Sequence, residues 1–178
     1  MSAPSSFFLE HWEALRATIS LGPVLDLACG RGRHALAAAR AGAPTLAIDR
    51  NPDFLRELSG AARAAKLPLR VLRADLESGQ GIPVQPRSCS AVLVFRFLSR
   101  PLAKEIEQAL APGGLLLYET FTIHQKELAY GPSNPAFLLH PGELPSLFAG
   151  LERLSAWEGM TSGDKPWAVA RLAARRPL

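Results

Sequence analysis

Apolar runs and helical segments alternate along most of the chain. Five runs have the composition of strands: "PVLDLA", "PTLAID", "LPLRVLRAD", "SAVLVFRF" and "LLLYET". Helices are predicted between them from Arg33 to Ala41, from Asn51 to about Ala65 and from Leu102 to Leu110, with "APGG" as a turn before the fifth strand. Near the carboxyl end, "LERLSAWEG" and "WAVARLAA" predict a strand pair around the turn "MTSGDKP". Strands that alternate with helices predict a parallel sheet covered on both faces.

The amino-terminal residues have a pattern of their own. Apolar side chains recur there at spacings of four, three and four, at Phe8, Trp12, Leu15 and Ile19. This stripe predicts one amphipathic helix that ends near Gly22. We expect residues 1–22 to form an amino-terminal helix or lid and residues 23–178 to form one domain, because 178 residues suit a single core.

The first predicted strand leads into a glycine loop. It carries Asp26 and is followed by Gly30 and Gly32, whose small size lets the backbone approach a ligand closely. The helix after the loop offers unpaired backbone N–H groups to an anionic group, and the carboxylate of Asp26 can pair with a cation. In a parallel α/β sheet, ligands bind beyond the carboxyl ends of the strands. The pattern therefore predicts a binding loop at this position.

Acidic residues also end the second and third predicted strands. Asp49 lies 17 residues beyond Gly32, where a carboxylate can accept hydrogen bonds from both hydroxyls of a ribose. Asp75 and Leu76 supply an acid and a backbone N–H that could bind the amino group and a ring nitrogen of adenine. A structural alternative stays open for Asp75, which could cap a turn. Acids at three successive strand ends favour an adenosine-containing cofactor.

Composition and charge narrow the classes of partner. The net charge is +4, and the arginines are scattered among acids, which permits contact with nucleic acid without indicating it. No apolar run is long enough to cross a bilayer, and the amino end lacks the pattern of a signal peptide, so we expect a cytoplasmic protein. The two cysteines and four histidines have no metal-ligand spacing, so no metal is expected.

From about Val24 onward, these segments resemble class I S-adenosylmethionine-dependent methyltransferases. "VLDLACGRG" resembles the first motif of that family, "AID" its second-strand acid, "ADLE" its adenine acid and "LAPGGLLLYET" its approach to the fifth strand. The resemblance implies an α/β, Rossmann-like three-layer sandwich. Its seven-stranded, mostly parallel sheet would have the order 3-2-1-4-5-7-6 with an antiparallel seventh strand. Within the family, the chain is most similar to small bacterial tellurite-resistance methyltransferases.

The resemblance also implies S-adenosyl-L-methionine as cofactor and S-adenosyl-L-homocysteine as product. The expected cofactor-binding residues are Asp26, Ala28, Gly30, Gly32, Arg33, Asp49, Arg50, Asp75, Leu76 and Arg96. The implied reaction is methyl transfer by in-line displacement to a small-molecule or oxyanion acceptor. Alignment of the reactants provides much of such catalysis, and a base is needed only for a nucleophile that arrives protonated.

The residues after the fourth predicted strand limit the chemical classes of methyl acceptor that the sequence favours. Amine-directed methyltransferases of nucleic acids and proteins often carry Asp/Asn-Pro-Pro-Tyr there, whereas this chain has "FRFLSRP", without the cysteine of pyrimidine carbon-5 chemistry. This difference disfavours nucleic acid as the acceptor. Arg96, His124 and Tyr130 are the candidate catalytic residues, the last two in an acceptor loop predicted over residues 120–140. A packing role is the alternative for Arg96.

Two other functions stay open. An NAD-dependent oxidoreductase would use the same glycine turn and Asp49, but it leaves Asp26 and Asp75 unexplained. A non-catalytic S-adenosylmethionine-binding protein is the second alternative, because the chain carries no catalytic signature.

Overall fold

A seven-stranded sheet forms the centre of the molecule, for which the computed structural model describes residues 3–178. The strands are β1 (Val24–Leu27), β2 (Thr45–Asp49), β3 (Leu69–Arg73), β4 (Cys89–Phe95), β5 (Leu110–Phe121), β6 (Glu152–Met160) and β7 (Ala168–Arg175). Their order is β3-β2-β1-β4-β5-β7-β6. β7 is antiparallel to both neighbours, and the other pairs are parallel. The predicted strand order and antiparallel seventh strand are confirmed.

Helices cover both faces of the sheet. They are α1 (Ser6–Glu10), α2 (Trp12–Arg16), α3 (Arg33–Arg40), α4 (Pro52–Ala64), α5 (Ala103–Ala109) and α6 (Glu143–Leu147). On one face, Phe8 of α1 packs in a buried cluster with Leu93 of β4. On the other face, Ile106 of α5 packs with Val92 of the same strand. Because neighbouring residues of a strand point to opposite faces, this packing gives the predicted three layers.

The position of each strand explains its sequence. All seven residues of β4 are buried, since this strand lies between β1 and β5 and is covered by helices on both faces. β6 forms one edge of the sheet, and most of its residues are exposed. β1, β2 and β4 are parallel neighbours, so Asp26, Asp49 and Arg96 come from adjacent strands or strand ends at the same edge.

Two segments differ from the sequence prediction. The amino-terminal residues form two five-residue helices rather than one, because the backbone leaves helical geometry at His11, whose Nδ1 contacts the Phe7 carbonyl at 3.0 Å. "APGG" is not a separate turn; β5 begins at Leu110 and runs through it, with a shift in its pairing to β4. Among residues 3–178, no helix has both the length and the apolar character needed to cross a membrane.

Candidate functional site

Two adjoining cavities lie at the carboxyl ends of the central strands. The first, the loop cavity, has a volume of about 400 Å³ and is formed by the glycine loop and the start of α3. The second, the strand-end cavity, has a volume of about 340 Å³ and is lined by the ends of β2 and β5 and the loops that follow β3 and β4. Ala28 and Arg96 line both cavities, so the two spaces meet at these residues.

The glycine loop has a conformation that other residues adopt with strain. Gly30 and Gly32 have φ values of +55° and +75°, in the left-handed region. A Cβ atom on Gly32 would lie 2.5 Å from the side chain of Leu58 on α4. The Gly30 N–H donates a hydrogen bond of 2.7 Å to Oδ2 of Asp49. The loop is thus held against both β2 and α4.

Asp26 lies at the buried base of the loop cavity. Its side chain is 2% exposed, and Oδ2 accepts a hydrogen bond of 3.0 Å from the Ala35 N–H. Burial raises the pKa of this carboxyl to about 7, although the bond from Ala35 and the charge of Arg33 act in the opposite direction. A carboxyl group in this setting can bind a cation, which would favour its ionised form.

Asp49 and Asp75 line the strand-end cavity together with Leu76. Each carboxylate oxygen of Asp49 accepts one backbone hydrogen bond, from Gly30 at 2.7 Å and from Asn51 at 2.8 Å. Asp75 both lines the cavity and caps a turn, because its Oδ1 accepts a 3.0 Å hydrogen bond from the Glu77 N–H. Of the other predicted residues, Arg50 lies at this cavity and pairs with Glu77 at 2.9 Å.

Arg96 follows β4 and has an unusual backbone conformation. Its φ is +59°, and its N–H donates a 2.8 Å hydrogen bond to the Glu119 carbonyl of β5. The guanidinium lies 4.9 Å from the ring centroid of Trp167. Sequence reasoning missed Trp167, which precedes β7 and shares no local spacing with the site residues.

Arg33 and His34 begin α3 at the loop cavity. Burial and, after it, the charge of Arg96 lower the pKa of the Arg33 guanidinium. His34 is buried, stacks on Phe95 with ring centroids 3.8 Å apart, and accepts a 3.2 Å hydrogen bond from the Ser5 N–H at Nε2. Burial lowers the pKa of this imidazole to about 3, so His34 is neutral and its Nε2 is occupied.

The structure does not bring His124 or Tyr130 to either cavity. His124 is exposed, and its Nδ1 contacts Glu127 at 3.0 Å. The Tyr130 hydroxyl donates to the Pro166 carbonyl, and its ring packs edge-on against Trp167. The predicted acceptor loop instead contributes Pro132 and Phe137 to the strand-end cavity. These two residues carry no polar group, which is why sequence reasoning passed over them.

Arg100 connects the end of β4 to the acceptor loop. Its guanidinium pairs with both carboxylate oxygens of Glu143 and donates to the carbonyls of Ala136 and Leu138, at 3.0 and 2.9 Å. The hydrogen bonds from Arg100 lower the pKa of the Glu143 carboxyl. This network holds Phe137 at the cavity, although Arg100 itself lines neither space.

The Methyltransferase domain family matches residues 24–114, half of the chain. No curated protein matches significantly. TehB from Haemophilus influenzae has a similar structure, with a TM-score of 0.74 and 21% identity over 93% of this chain and 62% of TehB, so the chain spans about three fifths of that protein.

Two further structures cover most of both chains. An S-adenosylmethionine-dependent methyltransferase from Mesorhizobium loti has a TM-score of 0.68 and 21% identity, over 93% of this chain and 97% of its own. An S-adenosylmethionine-dependent methyltransferase from Methanosarcina mazei has a TM-score of 0.69 and 19% identity, over 88% of this chain and 92% of its own. These likenesses concern the fold. Family match and fold together show that the chain belongs to the class I S-adenosylmethionine-dependent methyltransferases.

Proposed function

We propose that this protein transfers a methyl group from S-adenosylmethionine to a small-molecule or oxyanion acceptor. The observation that carries the proposal is the pair of adjoining cavities, with Asp26 at the base of one and Asp49 and Asp75 in the other. S-adenosylmethionine supplies a methyl group on a positively charged sulfur and leaves as S-adenosylhomocysteine. Its amino-acid part suits the loop cavity, and its adenosine part suits the strand-end cavity.

The charges of the site residues fit the two ends of this cofactor. Asp26 suits the ammonium group of its methionine part, and Arg33 suits the carboxylate. The Asp49 oxygens each accept one backbone N–H, which leaves lone pairs for the ribose hydroxyls. Asp75 and the Leu76 N–H suit the edge of adenine. The remaining contacts with the cofactor would come from four other residues that line the cavities, Ala28, Gly30, Gly32 and Arg50.

Alignment is the main contribution that we propose for the chain. A nucleophilic atom of the acceptor forms a bond to the methyl carbon while the carbon–sulfur bond breaks, and the electron pair of that bond stays on sulfur. Holding the reactants in line lowers such a barrier by roughly 7–11 kcal/mol. His34 does not suit the role of general base, because it is buried and accepts the Ser5 N–H. A base for an acceptor that arrives protonated would therefore have to be a residue other than His34.

Calorimetric titration with S-adenosylmethionine and with NAD tests the cofactor. We expect binding of S-adenosylmethionine, and we expect Asp49→Ala to weaken it about tenfold or more, because the ribose hydroxyls lose their acceptor. Glu152→Ala is the matched control, since Glu152 is an exposed acid on the β6 edge that lines neither cavity. Binding of NAD in place of S-adenosylmethionine would overturn the proposal and favour an oxidoreductase.

A screen with radiolabelled S-adenosylmethionine then tests activity. Thiols, chalcogen oxyanions, carboxylates and small RNAs cover the main classes of acceptor. We expect label in one of the small-molecule classes and none in RNA. Tight cofactor binding without transfer to any class would instead support a non-catalytic binding protein.

A further inference from the structure

The backbone at Arg96 is strained in a way that directs its side chain. A non-glycine residue with positive φ is uncommon, and such residues concentrate at functional sites. Here the strain is maintained by the hydrogen bond of 2.8 Å from the Arg96 N–H to the Glu119 carbonyl of β5. The side chain that leaves this turn lines both cavities at their junction.

Aromatic rings hold the guanidinium of Arg96 in place. The Trp167 centroid lies 4.9 Å from its Cζ, and the Phe121 centroid lies 6.0 Å away. Trp167 is itself fixed by Tyr130, which packs edge-on at 5.0 Å and whose hydroxyl donates to Pro166. Stacking on an aromatic face orients a guanidinium while leaving the donors at its edge free.

The charge of Arg96 has no carboxylate partner among residues 3–178. Glu119 of β5 accepts the Arg96 N–H through its backbone carbonyl, but its carboxylate pairs with Arg171 at 2.7 Å. The strand-end cavity carries the acids Asp49 and Asp75, which we assign to adenosine, and it also has an apolar wall of Phe121, Pro132 and Phe137. An oriented cation in a cavity that has an apolar wall fits a ligand with an anionic group and an apolar body.

We infer that Arg96 forms the acceptor subsite for a small organic anion, such as a carboxylate or a thiolate with an apolar body. This inference rests on the proposed function, because it assigns the cavity junction to the acceptor. Arg96 contacts the anionic group, and Trp167 is a positioning residue that acts through Arg96. Phe121, Pro132 and Phe137 enclose the apolar body.

Calorimetric titrations with benzoate and its neutral isostere benzamide, in the presence of S-adenosylhomocysteine, test this subsite. We expect the native protein to bind benzoate about tenfold or more tightly than benzamide, and also more tightly than acetate. Arg96→Gln removes the preference for benzoate, and a parallel titration of this variant with S-adenosylhomocysteine reports any contact of Arg96 with the cofactor. Arg63→Gln, an exposed arginine on α4, is the control and keeps the preference.

The role of Trp167 is tested by two substitutions. Trp167→Leu lowers benzoate affinity about threefold to tenfold without changing benzamide affinity, because the cation loses its aromatic support. Trp167→Phe retains a ring and restores most of the preference. A structural defect would weaken both probes equally, and that result would overturn the positioning role.

Other outcomes overturn the subsite as a whole. They are equal affinity of the native protein for benzoate and benzamide, or unchanged benzoate binding in Arg96→Gln. A loss of S-adenosylhomocysteine affinity in Arg96→Gln without loss of benzoate affinity would assign Arg96 to the cofactor. Failure of S-adenosylhomocysteine to bind any variant contradicts the proposed function, whereas Arg96-dependent benzoate binding in its absence still supports the anion subsite.

Discussion

Asp26 is a single carboxyl group on which cofactor binding and folding make opposite demands. It lies on the buried strand β1 where its neighbours in the sheet are Ala47 and Leu93, and burial raises its pKa to about 7. A cation in the loop cavity would stabilise the ionised form, whereas burial in the folded protein stabilises the neutral form relative to a carboxyl in water. At high pH, ionised Asp26 therefore destabilises the folded state, and the same charge helps to bind a positively charged ligand.

We expect the affinity for S-adenosylmethionine to rise with pH through the pKa of Asp26. Between pH 6 and pH 8 the ionised fraction increases about tenfold, and the affinity should follow it. Asp26→Asn keeps the shape and an oxygen that can accept the Ala35 N–H, and it should bind weakly with little pH dependence. Calorimetry at several pH values measures this, and a native affinity that is flat across the range would assign Asp26 a structural role only.

The same substitution should affect stability in the opposite direction. Because the pKa of Asp26 is raised in the folded state, the stability that its protonated form contributes is fully present below about pH 3.8. This contribution is lost as the pH rises through about 7. Asp26→Asn should therefore match the native protein near pH 4 and exceed it by roughly 2–4 kcal/mol at pH 8. Urea unfolding at both pH values measures the difference.

The amino-terminal segment is the element that we propose as a lid over the loop cavity. Phe7 and Phe8 of α1 are buried, and the Ser5 N–H donates to Nε2 of His34 at the edge of the cavity. Arg33 also reaches the Ala3 carbonyl at 3.5 Å. These contacts connect the segment to the two residues that begin α3, so opening the cavity would require them to separate.

Two substitutions at Ser5 test the lid. Ser5→Pro fits the observed φ of −65° but removes the N–H that His34 accepts, and we expect S-adenosylhomocysteine to dissociate severalfold faster. Ser5→Ala is the control, because it removes the hydroxyl that caps α1 and keeps the N–H. Stopped-flow dissociation measures both rates. Equal dissociation rates in the two variants would show that the hydrogen bond from Ser5 to His34 does not slow the release of S-adenosylhomocysteine.

At the scale of the whole molecule, stability depends on the centre of the sheet rather than its β6 edge. Leu93 of β4 is fully buried beneath helices, whereas Leu154 of β6 is 40% exposed. We expect Leu93→Ala to lower the free energy of unfolding by about 2–5 kcal/mol, because it leaves a cavity among close-packed side chains. Leu154→Ala should change it by less than about 0.5 kcal/mol. Urea unfolding compares the two, and similar losses would contradict this distribution of stability.

Much of the fold followed from local patterns. Apolar runs, helical periodicity and capping residues depend on a few neighbours, so the five parallel strands, the helices between them and the final strand pair could be predicted. The acids at strand ends could also be predicted, because parallel strands bring their carboxyl ends to one edge. Asp49 and Asp75 line one cavity. The sequence did not distinguish whether Asp75 lines a site or caps a turn, and it does both.

Contacts between residues far apart in the chain determine the features of the site that local patterns did not predict. The direction of Arg96 depends on a hydrogen bond to β5 and a ring before β7, and the exclusion of His124 and Tyr130 from the cavities depends on where their loop folds back. The neutral state of His34 and the raised pKa of Asp26 come from burial, which no spacing encodes. Residue order thus specifies which groups reach the sheet edge. Tertiary packing alone sets their direction, partners and charge, because desolvation and long-range contacts exist only in the folded chain.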